Sequence, residues 1–291
     1  MSNRWIFPDM QVTDIPHRLD TIADAYREYG VVIFPGMLKG HPALRGFIAS
    51  LRYLFVRVLA RHGVVAGAED DLGDLLVQLG RIAPLDGRIV ADIGTQPNKL
   101  VEANRLKYAD FVAVLLRKVF GDDAVLATPH AGDTLHLFMP GEEFHKYNLP
   151  VHQDYQYLMQ SATQATLYLG LSKPYPGAGG LEYWPCSHRN GVLKSNYNSN
   201  GSFQVIDAEN ILAGLACESY FWEVGDVSLF DSLLCHRSIP NSTKDRGRIV
   251  QIFRYSDLRD KIGESYDWRS TVYPRRSVRF EDIHPDLFAE K

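Results

Sequence analysis

"GDVSLFDSLLCHRSIPNSTKDRGRIVQIFRYSD", residues 225–257, holds a glycine turn, an apolar run, a histidine at 236, a polar turn and a second apolar run. Runs of β-branched and aromatic residues separated by Pro, Asn, Ser and Gly clusters read as antiparallel strands. The same texture extends back to Thr134 through "TLHLFMPG" (134–141), "ATLYLGLS" (165–172) and "GLEYWP" (180–185). Earlier residues read differently. Ile15, Leu19, Ile22, Ala23 and Tyr26 recur at helical spacing up to Gly30, before the strand "VVIFPG" (31–36). Further helices are predicted from about Ala43 to His62, from Asp70 to Leu79 and from Lys99 to Phe120. No repeat or linker separates the halves. The expectation is one domain over 1–291: helix-rich to about 130, a β core over about 131–260, and a C-terminal extension over 261–291.

Composition narrows the function. A chain of 291 residues with 45% hydrophobic content can bury a large core. Its net charge of -4, from 31 basic and 35 acidic residues, offers no electrostatic footprint for nucleic acid. Cys186, Cys217 and Cys235 are too few and scattered to staple the fold, which suits a reducing compartment and predicts a cytoplasmic location. The apolar stretches are interrupted by arginine well short of about 18 residues, so no membrane span is expected.

Upstream lies "LPVHQDYQYL", residues 149–158. If this is a strand or strand end, His152 and Asp154 share a face and Gln153 points away. An imidazole and a carboxylate side by side can share a metal. They can equally form a buried hydrogen-bonded pair, and His-x-Asp recurs at His284 and Asp286, which read as a surface turn near the chain end. What shifts the balance is His236. Two histidines and one carboxylate on one face of an ion, with the other positions open, is the arrangement of non-haem Fe(II) oxygenases. Arg248 begins the next strand, where a guanidinium could grip the distal carboxylate of 2-oxoglutarate, and Ser238 shares the His236 face if the chain is extended there.

From His152 to Asp257 the chain resembles the phytanoyl-CoA dioxygenase family. The pieces are "HQD", "ATLYLGLS", "GAGGLEYWPCSHRNGVL" (177–193), "GDVSLFDSLLCHRSIPN" (225–241) and "RIVQIFRYSD" (248–257), with "IADAYREYGVVIFPGML" (22–38) near the start. The resemblance implies a mainly β fold with flanking helices: a double-stranded β-helix, a distorted, cupin-like jelly-roll barrel, with the N-terminal helices packed outside. It implies Fe(II) on His152, Asp154 and His236, with 2-oxoglutarate and dioxygen as co-substrates. Arg248, Ser238 and Thr166 would bind 2-oxoglutarate. The family arginine commonly lies eleven residues after the distal histidine, a position held here by Gly247. Anchoring on "FRYSD" selects Arg248, with Arg246 as the fallback.

The expected reaction is hydroxylation of an unactivated C–H bond in a small-molecule metabolite, with release of succinate and CO2. Desaturation or epoxidation by the same chemistry, and a non-oxidative metal hydrolase or isomerase, are the rivals. Asp154 argues against a halogenase, which frees that position for halide. His188 is read as a turn residue, His130, His136 and His145 as core or pocket-wall imidazoles, and Cys235 as a small buried hydrophobe. Tyr155, Tyr157, Tyr183 and Trp184 could line a pocket, and "PRRSVRF" (274–280) reads as a solvated strip.

Overall fold

The protein is described by a computed structural model that covers residues 4–83, 88–128, 133–199, 201–268 and 279–289. Helix α1 (Ile15–Tyr29) ends on Gly30, whose φ of 74° places it in the left-handed region while its N–H closes on Tyr26. Strand β1 (Val31–Phe34) follows at once. Then come α2 (Pro42–Arg61), α3 (Leu72–Ile82), α4 (Ile89–Thr95), α5 (Val101–Lys107) and α6 (Asp110–Phe120). In α3 the Asp71 and Asp74 side chains satisfy each other's backbone N–H groups in a capping box. The single helix expected over 99–120 is two, because the chain is extended at Ala109, the N-cap of α6. Helix α4 was not anticipated.

The β region comprises β2 (Leu126–Ala127), β3 (Thr134–Phe138), β4 (Gln164–Gly170), β5 (Ala178–Tyr183), β6 (Ser195–Tyr197), β7 (Phe203–Val205), β8 (Glu218–Tyr220), β9 (Val227–Asp231), β10 (His236–Asn241) and β11 (Arg248–Asp257). Short helical turns α7 (Tyr155–Leu158), α8 (Ala208–Ile211), α9 (Lys261–Ser265) and α10 (Phe280–Ile283) join or follow the strands. A major antiparallel sheet runs β1-β9-β4-β11-β2, with β3 also on β11, and a minor one runs β10-β5-β8.

Alternation sorts the major sheet's side chains into two cores. Ala165, Leu167 and Leu169 of β4, Leu229 of β9, and Ile249 and Phe253 of β11 face the helices, packing with Phe47, Leu51, Leu75 and Leu115. Tyr168, Phe230, Val250 and Ile252 face inward and pack with Leu181 and Tyr183 of the minor sheet. Among the described residues no ladder joins the two sheets, so hydrogen bonds do not close the expected barrel. Side chains hold the sheets face to face instead. No helix among the described residues is long and apolar enough to cross a membrane.

Candidate metal and co-substrate site

Residues 149–152 lie extended along β10. The N–H groups of His152 and His236 donate to each other's carbonyls at 3.0 and 3.1 Å. Two residues further, the Ser238 N–H reaches Leu149 O (3.0 Å) rather than Pro150 O. The Pro150 carbonyl, released from the ladder, accepts from His152 Nδ1 at 2.8 Å. His236 Nδ1 likewise donates to Leu234 O at 3.0 Å. A carbonyl can only accept, so each neutral ring carries its lone pair on Nε2. Those two Nε2 atoms are buried and have no hydrogen-bond partner.

Asp154 completes the group. Its backbone is helical (φ -65°, ψ -24°), and it immediately precedes α7 without a side-chain bond to the helix. The strand reading of this motif therefore holds at His152 and fails two residues later: a turn, not strand alternation, brings the carboxylate round to the imidazole. Gln153 does point away, and its buried amide bonds Gly191 O, Leu233 O and Leu193 N, pinning the turn to neighbouring loops. Asp154 Oδ1 lies 3.6 Å from His152 Nε2 and 3.8 Å from His236 Nε2, separations that one ion with bonds of about 2.1 Å can bridge. Among the described residues, these three form the one group of His, Cys, Asp and Glu side chains placed to hold a metal.

Around the carboxylate, Thr166 Oγ1 donates to Asp154 Oδ2 at 2.5 Å, and Arg254 lies at 3.4 Å from Oδ2 through Nε and 3.5 Å from Oδ1 through Nη2. Burial alone would raise the Asp154 carboxyl. The Arg254 guanidinium, aided by His152 and His236, outweighs it and holds the group well below the usual carboxylate range. Burial, then the proximity of His152, pushes His236 down to about 3. The metal-free group is thus a carboxylate facing a neutral His236.

Thr166, expected at 2-oxoglutarate, here gives its hydroxyl proton to Asp154 and so supports the carboxylate. Arg248 sits on the inner face of β11, 1% exposed; Nη2 donates to Tyr175 O at 3.0 Å, and Nε and Nη1 find no partner. Burial lowers it only to about 10, so it stays cationic at neutral pH. Ser238 Oγ accepts from Leu149 N (3.1 Å), which leaves its own proton to donate. Arg246, the fallback, lies outside: it is 43% exposed, 3.7 Å from Asp74 and stacked on Tyr175. Gly247 packs backbone to backbone on Gly73 of α3, where a Cβ would come within 2.7 Å of Gly73 O. No arginine side chain fits at that position.

His188 bonds Arg27 O and packs on Gly30, away from the triad. His145 bonds Asn241 O, and His136 stacks on Phe138 with its ring centroid 4.0 Å away. His130 lies outside the described residues. Cys235 is buried. Tyr157 stands edge-on to His152 (5.5 Å) and Tyr183 lies 6.3 Å from His236, whereas Trp184 packs in a separate cluster. Two terminal expectations change. His284 is no mere surface residue: its Nε2 meets the Tyr155 hydroxyl at 2.8 Å, next to Asp154, while Asp286 is exposed. Residues 274–278 of the basic strip lie outside the described residues, but Phe280 at its end is fully buried against Tyr155 and Phe203. Arg254 was missed as a site residue, although its six-residue spacing from Arg248 puts both on one strand face.

The phytanoyl-CoA dioxygenase family model matches residues 53–250. The chain belongs to that family. It is 24% identical over 226 residues to 1-deoxypentalenic acid 11-beta-hydroxylase of Streptomyces arenae, covering 72% of this chain and 78% of the relative. Its fold is similar to that of the epimerase SnoN in complex with Fe3+, alpha ketoglutarate and nogalamycin RO (TM-score 0.56, 18% identity, 83% of this chain and 84% of the other). It is also similar to the non-heme alpha ketoglutarate dependent carbocyclase SnoK from nogalamycin biosynthesis (TM-score 0.51, 15% identity, 81% and 82%). The protein is an oxidoreductase of the iron- and 2-oxoglutarate-dependent kind. The residues present fit both groups: orphaned imidazole nitrogens beside a carboxylate suit iron, and a buried guanidinium with unused donors suits a dicarboxylate.

Proposed function

We propose that the protein hydroxylates an unactivated C–H bond of a small-molecule metabolite, with His152, Asp154 and His236 as iron ligands and Arg248 and Ser238 holding the distal carboxylate of 2-oxoglutarate. The observation that carries this is the convergence of two partnerless, buried Nε2 atoms on one carboxylate oxygen, inside the same two-sheet interior that receives the Arg248 side chain. Iron, dioxygen and 2-oxoglutarate supply the oxidising power, with succinate and CO2 as by-products. The chain's own residues do the rest. Pro150 and Leu234 fix the two imidazoles, Arg248 and Ser238 set the co-substrate's direction, and the aromatic interior excludes water.

The strand order supports reading the two sheets as halves of a double-stranded β-helix. The chain visits β3 (major), 149–152 (minor), β4 (major), β5 and β8 (minor), β9 (major), β10 (minor) and β11 (major). The free cysteines favour a cytoplasmic site of action. A succinate-release screen against a metabolite panel, under air with added Fe(II), tests the reading: one or more substrates should give a hydroxylated product with stoichiometric succinate. Turnover that persists after oxygen removal would replace it with a hydrolase or isomerase.

A further inference from the structure

Strand β11 sends two arginines into the interior, Arg248 and Arg254, and only the first has a role in the reading above. Arg254 is 12% exposed and sits against both oxygens of Asp154. Its position is fixed by the fold. Residue 254 pairs with Thr166 of β4, so the two side chains that hold Asp154 are cross-strand neighbours on one sheet face. On the other edge β3 begins only at Thr134, and the Arg254 N–H is taken by the Asp133 carboxylate at 3.2 Å. Asp133 is in turn ion-paired with the buried Lys107 of α5, and the Lys107 carbonyl accepts from Tyr255. The helical layer thereby anchors the strand at the level of the metal carboxylate.

We propose that Arg254 is a positioning residue for the metal, acting through Asp154. Thr166 takes Oδ2 while Arg254 spans both oxygens, Nη2 donating to Oδ1 at 3.5 Å and Nε lying 3.4 Å from Oδ2, so that together they would hold the carboxylate against rotation with Oδ1 toward the two imidazole Nε2 atoms. A planar guanidinium with donors on two nitrogens suits that task; an ammonium does not. The inference rests on His152, Asp154 and His236 being the metal ligands, as proposed above. A buried arginine that merely balances the Asp154 charge is the competing explanation, and it predicts lost stability without lost affinity in the folded protein.

The test is anaerobic Mn(II) binding, followed by loss of the free-ion paramagnetic resonance signal, on full-length protein shown to be folded by circular dichroism. Arg254→Met should bind Mn(II) roughly 10–100-fold more weakly than the natural chain, a typical cost of losing an outer partner of a ligand. Arg254→Lys should fall between the two, and Arg248→Met should bind Mn(II) normally. Unchanged affinity in folded Arg254→Met overturns the proposal, and should that variant not fold, unchanged affinity in Arg254→Lys does so. Asp154→Ala separates the two levels: if it binds Mn(II) as the natural chain does, the ligand assignment fails. If it loses binding while the Arg254 variants keep it, only the positioning role fails.

Discussion

The Pro150 carbonyl accepts from His152 Nδ1 at 2.8 Å because the Ser238 N–H that a regular ladder would send to it reaches Leu149 instead. One irregular step in strand pairing therefore frees the acceptor that fixes the ring. Proline, with no N–H of its own, suits a place where the ladder is already broken.

Metal binding should stabilise the fold. An ion that binds only the native state, at a hundredfold excess over its dissociation constant, adds about 2.7 kcal/mol, or roughly 5 °C in a chain of this size. Differential scanning fluorimetry with and without Mn(II) should show that rise in the natural chain and none in Asp154→Ala.

Arg248 should decide the co-substrate requirement. Its Nε and Nη1 have no partner within the protein, and a charge-assisted pair with a carboxylate is worth about 1.5–3 kcal/mol. Steady-state succinate assays should show the KM for 2-oxoglutarate raised roughly 10–100-fold in Arg248→Met and left near its natural value in Arg246→Ala.

The metal-free protein should weaken in mild acid. His236 and His136 are each held down to about 3, chiefly by burial, against an unfolded value of 6.5. The unfolded chain therefore takes up protons that the native state refuses. Their stabilising effect is complete above pH 6.5 and is lost as pH falls from there toward 3, by about 1.4 kcal/mol per pH unit per histidine. Urea unfolding of chelator-treated protein between pH 7 and 5 should show this slope, and His136→Phe should remove close to one histidine's share.

Gly247 should tolerate no side chain. Its Cβ would press on Gly73 O at 2.7 Å, and one on Gly73 would meet Gly247 O at 2.5 Å. Gly247→Ala should cost about 1–3 kcal/mol and raise the 2-oxoglutarate KM by shifting the adjacent Arg248. Chemical denaturation and the succinate assay measure the two effects.

The C-terminal segment should brace the metal motif. Removing His284 takes one of two partners from the buried Tyr155 hydroxyl, Tyr266 being the other, a cost of about 0.5–1.5 kcal/mol. A double-mutant cycle of His284→Ala with Tyr155→Phe should return a coupling of about 1 kcal/mol in urea unfolding.

How much of this was written in the chain itself depends on the range of the forces involved. Period-two alternation and turn chemistry are local, so the β region, the helical first half and the inward face shared by Arg248 and Arg254 can all be read from residue order. Motif spacing singled out His152, Asp154 and His236 for the same reason: each lies in a short stretch with its own pattern. Tertiary structure decided what depends on partners distant in sequence. Asp154 reaches the imidazoles through a helical turn whose Gln153 is tied to loops 38 and 80 residues away. Thr166 gives its proton to a carboxylate, Arg246 is drawn out to Asp74, and His284 folds back onto Tyr155. A buried polar group must find a partner or pay desolvation, and which one it finds is set by packing between elements that no local pattern encodes.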